Sequence, residues 1–125
     1  MKFYHYEKCS TCRKARKWLD SKEIKYTALA IREFPPPESD LSAMLSSHQG
    51  CLRKLFNTSG IDYRELKIKN IVNDLTAEDA FILLANNGNL IKRPFLIGKG
   101  LCLQGFNPLQ WAVSYTHLTL PTSYP

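Results

Sequence analysis

The first 31 residues of the chain alternate strand, helix and strand patterns, and this succession constrains the fold more than any other feature. Residues 2–6 are short and rich in aromatic side chains, which predicts a strand buried on both faces. From Ser10 or Thr11 to Ser21, apolar residues recur at the spacing of one buried helical stripe. Residues 24–31 alternate loosely and predict a second strand. Because short connections join these segments, we expect a right-handed parallel βαβ unit.

The middle of the chain has a helical pattern. Three consecutive prolines, residues 35–37, end the βαβ unit because proline neither continues a strand ladder nor fits inside a helix. From about residue 36 to 89, apolar residues recur at helical spacing. Thr76 resembles the first residue of a capping box, and Gly88 is the expected stop of the helix that it opens. We therefore expect a helical insertion within an α/β scaffold.

Strand patterns return after this insertion. Residues 95–97 and 101–105 flank a glycine-containing turn, which is typical of a hairpin. Asn107 then predicts the start of a last short helix that runs through Trp111, with proline at its first position. The chain as a whole therefore predicts an α/β domain with about four strands.

Composition places the chain among single globular domains. Its 125 residues are 44% hydrophobic and 22% charged, which excludes collagen-like, disulfide-scaffold and strongly disordered classes. No apolar run approaches the ~18–20 residues that span a bilayer, and the N-terminus lacks a secretory signal. We expect a cytoplasmic protein without a membrane partner.

The last 13 residues carry no Lys, Arg, Asp or Glu, so we predict a domain over 1–112 and a non-native or disordered tail over 113–125.

The net charge of +6 is concentrated near the N-terminus, where residues 1–25 hold eight basic and three acidic side chains. Such a basic face can attract nucleic acid, an acidic partner or a small anion, or it can be a solvated helix face. Neither RNA-binding aromatic signatures nor zinc-finger spacings occur in the sequence. We therefore expect no direct contact with nucleic acid.

Cys9 and Cys12 form a Cys-x-x-Cys motif between the first strand and the first helix. This spacing puts Cys9 at or just before the helix N-terminus, where unpaired N–H groups and the helix dipole stabilise a thiolate. Lys8 and Arg13 act in the same direction. Such surroundings can lower a thiol pKa from ~8.5 to about 3.5–7.5. Cys12, one turn further along, could attack a mixed disulfide on Cys9, which predicts a nucleophile and a resolving thiol.

Two other interpretations of this motif remain open. Half of a zinc site is one, but Cys51 and Cys102 are single and no second cysteine or histidine pair follows, so we predict no metal. A structural disulfide is the other, and it is unusual in the cytosol. Cys51 and Cys102 are themselves expected to be buried, unreactive thiols.

Arg93 and Pro94 form the second element of the predicted site. A proline that begins a strand opposite a helix N-terminus is where thioredoxin-like folds place a cis-proline beside the reactive cysteine. Arg93 would then hold a guanidinium near the thiolate, suited to an oxyanion or a carboxylate. The alternative is a surface arginine in front of an edge strand.

Five segments resemble the arsenate-reductase-related (ArsC/Spx) family. Within that family, the segments resemble the uncharacterised arsenate-reductase-like branch most. In order they are residues 9–19, 56–60, 63–66, 90–94 and 105–106. The resemblance covers nearly all of residues 2–112. It implies a thioredoxin-like sheet of about four strands with a helical insertion between the second strand and the Arg-Pro strand. It also implies that Cys9 matches the reactive cysteine of the family.

The family suggests a thiol–disulfide oxidoreductase. Cys9 would be its nucleophile and Cys12 its resolving thiol, while Arg93, Pro94 and Arg13 would contribute to substrate or anion binding. Glutathione, glutaredoxin or thioredoxin would donate electrons to a protein or small-molecule disulfide, and no cofactor would stay bound.

Two alternatives follow from the same resemblance. One is a redox-sensing transcription regulator similar to Spx, which would bind the α subunit of RNA polymerase and which shares the basic pair Lys92-Arg93. The other is arsenate reduction proper, for which the family uses three arginines. Arg93 matches one of them, whereas Asn57 and Gly105 stand where the other two fall, so this alternative is the weaker one.

Overall fold

A computed structural model describes residues 1–119 of the chain. The strands in this range are β1 (Lys2–His5), β2 (Thr27–Ala30), β3 (Phe95–Gly98) and β4 (Leu101–Gln104). The α-helices are α1 (Ser10–Ser21), α2 (Glu38–Ser47), α3 (Ile61–Glu65), α4 (Ala77–Asn86) and α5 (Pro108–Thr119). Short 3₁₀ turns lie at Leu52–Leu55, Ile68–Asn70, Val72–Asp74 and Gly88–Leu90. In the described range, no helix is long and apolar enough to cross a membrane.

The four strands form one mixed sheet in the order β2–β1–β3–β4. β1 runs parallel to β2, with Tyr4 opposite Leu29, and antiparallel to β3, with Phe3 opposite Leu96. β3 and β4 form the antiparallel hairpin. The helices α2 to α4 all lie between β2 and β3 in the chain. This architecture confirms the predicted α/β class, the parallel βαβ unit and the helical insertion.

The central strand β1 divides the hydrophobic core into two clusters, one on each face of the sheet. Phe3 packs with Leu19 of α1 and Trp111 of α5 on one face. Tyr4 points to the other face, where the helical insertion covers the sheet. Phe3 is 0% exposed, so truncating it to alanine should cost about 3–5 kcal/mol. The predicted burial of both strand faces is confirmed.

The second strand begins later than the sequence pattern indicated. It starts at Thr27 rather than at residue 24, because the chain first closes the end of α1. The N–H of Ile24 donates to the carbonyl of Leu19 at 3.1 Å, and Glu23 adopts a left-handed φ of 57°. These residues form a helix-terminating turn and are unavailable to the sheet.

The helix α4 begins as predicted, but its final glycine has a different role. The N–H of Asp79 donates to Oγ1 of Thr76 at 3.1 Å, which confirms the N-terminal cap. The helix ends at Asn86, before Gly88. A Cβ on Gly88 would lie 2.0 Å from the carbonyl oxygen of Ile31. Glycine is thus needed here for close approach of two backbone segments, not for a left-handed stop.

The last helix extends further than expected. The pattern predicted a helix through Trp111, whereas α5 continues to Thr119. No proline or glycine occurs between Pro108 and Thr119, so the helix that starts at Pro108 can propagate one hydrogen bond per residue. Residues 120–125 of the predicted tail lie outside the described residues. That residues 113–125 are non-native or disordered stays a prediction.

Candidate active site

Cys9 occupies the junction between β1 and α1. Its N–H donates to the carbonyl of Tyr6 at 3.0 Å, and its carbonyl accepts the N–H of Arg13 at 3.1 Å. Cys9 is the residue that precedes the helix, with extended backbone angles. The predicted position at the N-terminus of the first helix is therefore confirmed. The side chain of Cys9 is half-buried, and its sulfur accepts a hydrogen bond from the backbone N–H of Cys12 in the first turn of α1.

The surroundings of Cys9 favour its thiolate. Burial opposes ionisation, but three donors outweigh it and lower the pKa of Cys9: the N–H of Cys12, the thiol of Cys12 and the guanidinium of Arg93. A hydrogen bond to an ionised sulfur and a nearby positive charge both stabilise the charged form. Cys9 is thus the more acidic thiol of the pair.

Cys12 has the opposite character. Its side chain is 1% exposed. Burial, its hydrogen bond to Cys9 and the charge of Cys9 raise the pKa of Cys12 to about 12, although the backbone of Tyr6 and the charge of Arg93 act in the other direction. Both cysteines are free. The motif therefore combines a half-buried, more acidic thiol at Cys9 with a buried, less acidic thiol at Cys12 that donates to it.

Arg93 lies beside this pair, directly before the strand β3. The Arg93–Pro94 peptide bond is cis, as expected from the context of the sequence. The guanidinium lies over the ring of Tyr6, with Cζ 4.9 Å from the ring centroid. Its Nη1 is buried and has no hydrogen-bond partner among the described residues. Such a donor is stabilised when an anion or a polar group of a substrate reaches it.

The structure brings Arg13 to a different position. Its side chain is exposed, and Nη1 donates to the carbonyl of Glu7 at 3.0 Å. Arg13 is not among the residues that line the cleft at Cys9. Of the predicted anion-binding residues, Arg93 therefore lies beside the sulfur of Cys9. Arg13 instead contacts the loop between β1 and Cys9, through the carbonyl of Glu7.

The cleft in front of Cys9 has a volume of about 590 Å³ and a mostly polar lining. Its lining residues are Cys9, Thr11, Asn57, Ser59, Lys92, Arg93, Gln104, Gly105, Phe106, Asn107 and Gln110. Asn57 and Gly105, which stand where the resemblance places two arginines, both face this cleft. In the described part of the chain, Arg93 is the one arginine that lines it.

Backbone hydrogen bonds bring the helical insertion to the cleft. The N–H of Asn57 donates to the carbonyl of Leu90 at 2.7 Å, and the N–H of Lys92 donates to the carbonyl of Leu55 at 2.9 Å. This short antiparallel pairing fixes Asn57 beside the segment that leads into Arg93. One wall of the cleft therefore depends on the insertion.

Gln104 is a site residue that sequence reasoning missed. It is 8% exposed, and its Nε2 donates to the carbonyls of Leu55 and Lys92, each at 2.9 Å. Its Oε1 lies 2.9 Å from Nε2 of His48, which must then be the donor. Gln104 thus ties β4 to both segments behind the cleft. A polar residue at the end of an otherwise apolar strand was the available signal.

The remaining two cysteines lie away from the cleft lining and are half-buried. Burial, with a smaller contribution from the charge of Asp40, raises the pKa of Cys102. Among the residues whose side chains the structure describes, His, Cys, Asp and Glu do not gather in any group of three that could hold a metal ion.

Comparisons with known proteins agree with this fold. The chain is 44% identical over 92 residues to the uncharacterized protein YusI of Bacillus subtilis, covering 74% of this chain and 78% of that protein. A solved structure described as a possible arsenate reductase from Streptococcus mutans superimposes with a TM-score of 0.78 and 42% identity, covering 84% of this chain and 89% of that one.

A transcription regulator is also similar. The global transcriptional regulator Spx of Streptococcus pyogenes is 29% identical over 99 residues, which cover 79% of this chain and 72% of that protein. The family model described as ArsC matches residues 4–113, nearly the whole described range. The chain therefore belongs to the ArsC family and has its thioredoxin-like fold.

Proposed function

We propose that the protein is a thiol–disulfide oxidoreductase in which Cys9 is the nucleophile and Cys12 the resolving thiol. The observation that carries this proposal is the placement of Cys9 in the cleft directly before α1, with the buried Cys12 as its hydrogen-bonded neighbour. The directions of the two pKa shifts, lowered at Cys9 and raised at Cys12, support the same division of roles. The thiolate is the reactive form of cysteine, and only Cys9 combines that form with access to the cleft.

The reaction has two exchange steps. The thiolate of Cys9 attacks one sulfur of a disulfide, breaks the S–S bond and releases one thiolate, leaving a mixed disulfide on Cys9. Cys12 then gives its proton to the departing thiolate and attacks the sulfur of Cys9. The second half of the substrate leaves, and a Cys9–Cys12 disulfide forms. Two electrons have passed from the protein to the substrate disulfide.

The burial of Cys12 explains why it acts second. A substrate cannot reach a side chain that is 1% exposed, but the sulfur of Cys9 is its hydrogen-bonded neighbour. Once Cys9 carries a mixed disulfide, its negative charge is gone, and one of the causes that raise the pKa of Cys12 disappears with it. The thiol of Cys12 thereby becomes easier to ionise when it is needed.

Arg93 supports both steps electrostatically. Its guanidinium stabilises the thiolate of Cys9 before the attack, and its unpaired Nη1 can stabilise the departing sulfur or an oxyanion. Reduction of the Cys9–Cys12 disulfide by glutathione, glutaredoxin or thioredoxin, acting as thiols in the cytoplasm, returns the two electrons. The Arg93–Pro94 segment would also position the incoming disulfide.

The test is to mix the reduced protein with bis(2-hydroxyethyl) disulfide and to identify the products by peptide mass mapping. Wild-type protein is expected to form the Cys9–Cys12 disulfide, while Cys12→Ser stops at the mixed disulfide on Cys9. Cys9→Ser is expected to react slowly or not at all. If Cys9→Ser consumes the disulfide at the wild-type rate, the assignment of the nucleophile is wrong.

A redox-sensing regulator similar to Spx is the second candidate. Its support is the identity to Spx together with the pair Lys92-Arg93 at the cleft. In this case the Cys9–Cys12 disulfide is a signal, and the protein binds the C-terminal domain of the RNA polymerase α subunit. Redox-dependent capture of that domain, without turnover of any disulfide, would favour the regulator over the enzyme.

Arsenate reduction has weaker support. Asn57 and Gly105 line the cleft where the family's other two arginines are expected, so a bound arsenate would meet one guanidinium instead of three. Charge-assisted bidentate contacts are the strong ones for such oxyanions. Arsenate-dependent consumption of thiols would be the observation in its favour.

A further inference from the structure

A second cavity adjoins the Cys9 cleft, and the charged residues in its described lining are all positive. Its volume is about 440 Å³. We call it the basic pocket, after the four cations that line it: Arg53, Lys54, Lys69 and Lys92. Within the described residues, its lining contains no aspartate or glutamate. The pocket therefore concentrates positive charge in a concave site, where field lines from several cations add.

Among the residues that the structure describes, these cations have no carboxylate partner. The one ion pair in the described part of the chain joins Lys2 to Asp40, and neither residue lines the basic pocket. Asn57, Thr58 and Ser59 also line the pocket and provide neutral hydrogen-bond donors. Cations together with amide and hydroxyl donors suit a ligand group that is anionic and accepts several hydrogen bonds.

The basic pocket and the Cys9 cleft are continuous. They share three lining residues, Asn57, Ser59 and Lys92. Lys92 lies at the boundary and passes close to Gly105, since a Cβ there would be 2.8 Å from Cε of Lys92. A ligand can thus place a sulfur at Cys9 and a second group in the basic pocket at the same time.

We propose that the basic pocket binds a carboxylate or phosphate group of the low-molecular-weight disulfide that reacts with Cys9. This inference rests on the proposed oxidoreductase function and adds a substrate class to it, namely disulfides of acidic thiols. An anionic group held there positions the S–S bond for attack and lowers the KM for such disulfides. Neutral and cationic disulfides lack this contact.

The test compares the rates at which four disulfides oxidise the reduced full-length chain. Bis(2-hydroxyethyl) disulfide is neutral, cystamine is cationic, 3,3′-dithiodipropionate carries carboxylates, and coenzyme A disulfide carries phosphates. We expect at least one anionic disulfide to react faster than the neutral one, with a lower KM. The two anionic probes distinguish a carboxylate from a phosphate ligand. Added salt should reduce the preference, because the site is open to solvent.

Variants that remove single positive charges show whether the basic pocket causes the preference for anionic disulfides. Lys54→Gln and Lys69→Gln each remove one cation from the basic pocket and should lower the ratio of anionic to neutral rates about twofold to fivefold. Lys17→Gln makes the same charge change on the exposed face of α1, outside the pocket, and should keep the wild-type ratio. Equal changes in all three variants would mean a general charge effect and would overturn the inference.

Two outcomes separate this inference from the function on which it rests. If the neutral disulfide forms the Cys9–Cys12 bond but Lys54→Gln and Lys69→Gln keep the wild-type preference, the oxidoreductase proposal stands and the basic-pocket inference is wrong. If no disulfide, neutral or charged, oxidises Cys9, both are wrong.

Discussion

The guanidinium of Arg93 lies over the ring of Tyr6, with Cζ 4.9 Å from the centroid, and the same guanidinium lowers the pKa of Cys9. Tyr6 also holds Cys9 directly, because its carbonyl accepts the N–H of Cys9 at 3.0 Å. The residue directly after β1 thus contacts both the guanidinium of Arg93 and the backbone N–H of Cys9. Arg32 lies over the same ring at 5.0 Å.

Replacing Arg93 should make Cys9 less reactive near neutral pH. In Arg93→Gln the thiolate loses a positive neighbour, so the pKa of Cys9 rises and the pH profile of its alkylation moves to higher pH. The rate of disulfide attack should fall roughly tenfold, since hydrogen bonds to charged groups are the stronger ones. Arg32→Gln is the matched control, because Arg32 shares the ring contact but is not among the groups that lower the pKa of Cys9.

Tyr6 should act through Arg93. Tyr6→Ala removes the ring against which the guanidinium lies, and we expect the alkylation profile of Cys9 to move in the same direction as in Arg93→Gln, with a rate loss of about twofold to fivefold. Tyr6→Phe keeps a ring and should retain the wild-type profile. A shift in Tyr6→Phe as large as that in Tyr6→Ala would contradict a role of the ring.

The raised pKa of Cys12 should make the reduced protein less stable in alkali. Burial favours the neutral thiol, so this group adds stability below its ordinary pKa of 9.0 and loses it as the pH rises toward about 12. Chemical denaturation of reduced wild type and Cys12→Ala should therefore show a stability difference that shrinks from about pH 9 to about pH 12. A pH-independent difference would mean that Cys12 is not preferentially neutral in the fold.

Gln104 should be important for stability as well as for the shape of the cleft. Gln104→Leu removes the hydrogen bonds to the carbonyl of Lys92 and to the ring N–H of His48, whereas the carbonyl of Leu55 keeps the N–H of Lys92 as its partner. Leaving buried polar groups unpaired should cost about 1–3 kcal/mol in the free energy of unfolding. Gln110→Leu changes an exposed glutamine of the same cleft and should stay within about 0.5 kcal/mol of wild type. Equal stability of the two variants would show that the Gln104 hydrogen bonds contribute little.

Local sequence was sufficient to predict the elements that carry the candidate chemistry. The positions of Cys9 and Cys12 follow from a strand, a short loop and a helix, with two residues between the cysteines, and Arg93-Pro94 is recognisable as a pair. Gln104 was not predictable in this way, because its partners lie 12 and 49 residues away in sequence and meet only in the folded chain.

The other differences between the predicted and the observed structure also arise from long-range packing. The contact of Tyr6 with Arg93 requires β1 and β3 to be neighbours in the sheet. The role of Gly88 depends on the approach of the Ile31 carbonyl, which a helix-stop pattern does not reveal. Such contacts join segments that the pattern of apolar residues treats separately.

The measurement that tests the account most directly is the pH dependence of alkylation of the reduced wild-type protein, followed cysteine by cysteine with peptide mapping. We expect Cys9 to be modified with a midpoint below that of free cysteine measured in the same assay, while Cys12 stays unmodified until strongly alkaline pH. A midpoint for Cys9 at or above that of a free thiol, or equal reactivity of the two cysteines, would contradict a thiolate stabilised at the start of the first helix.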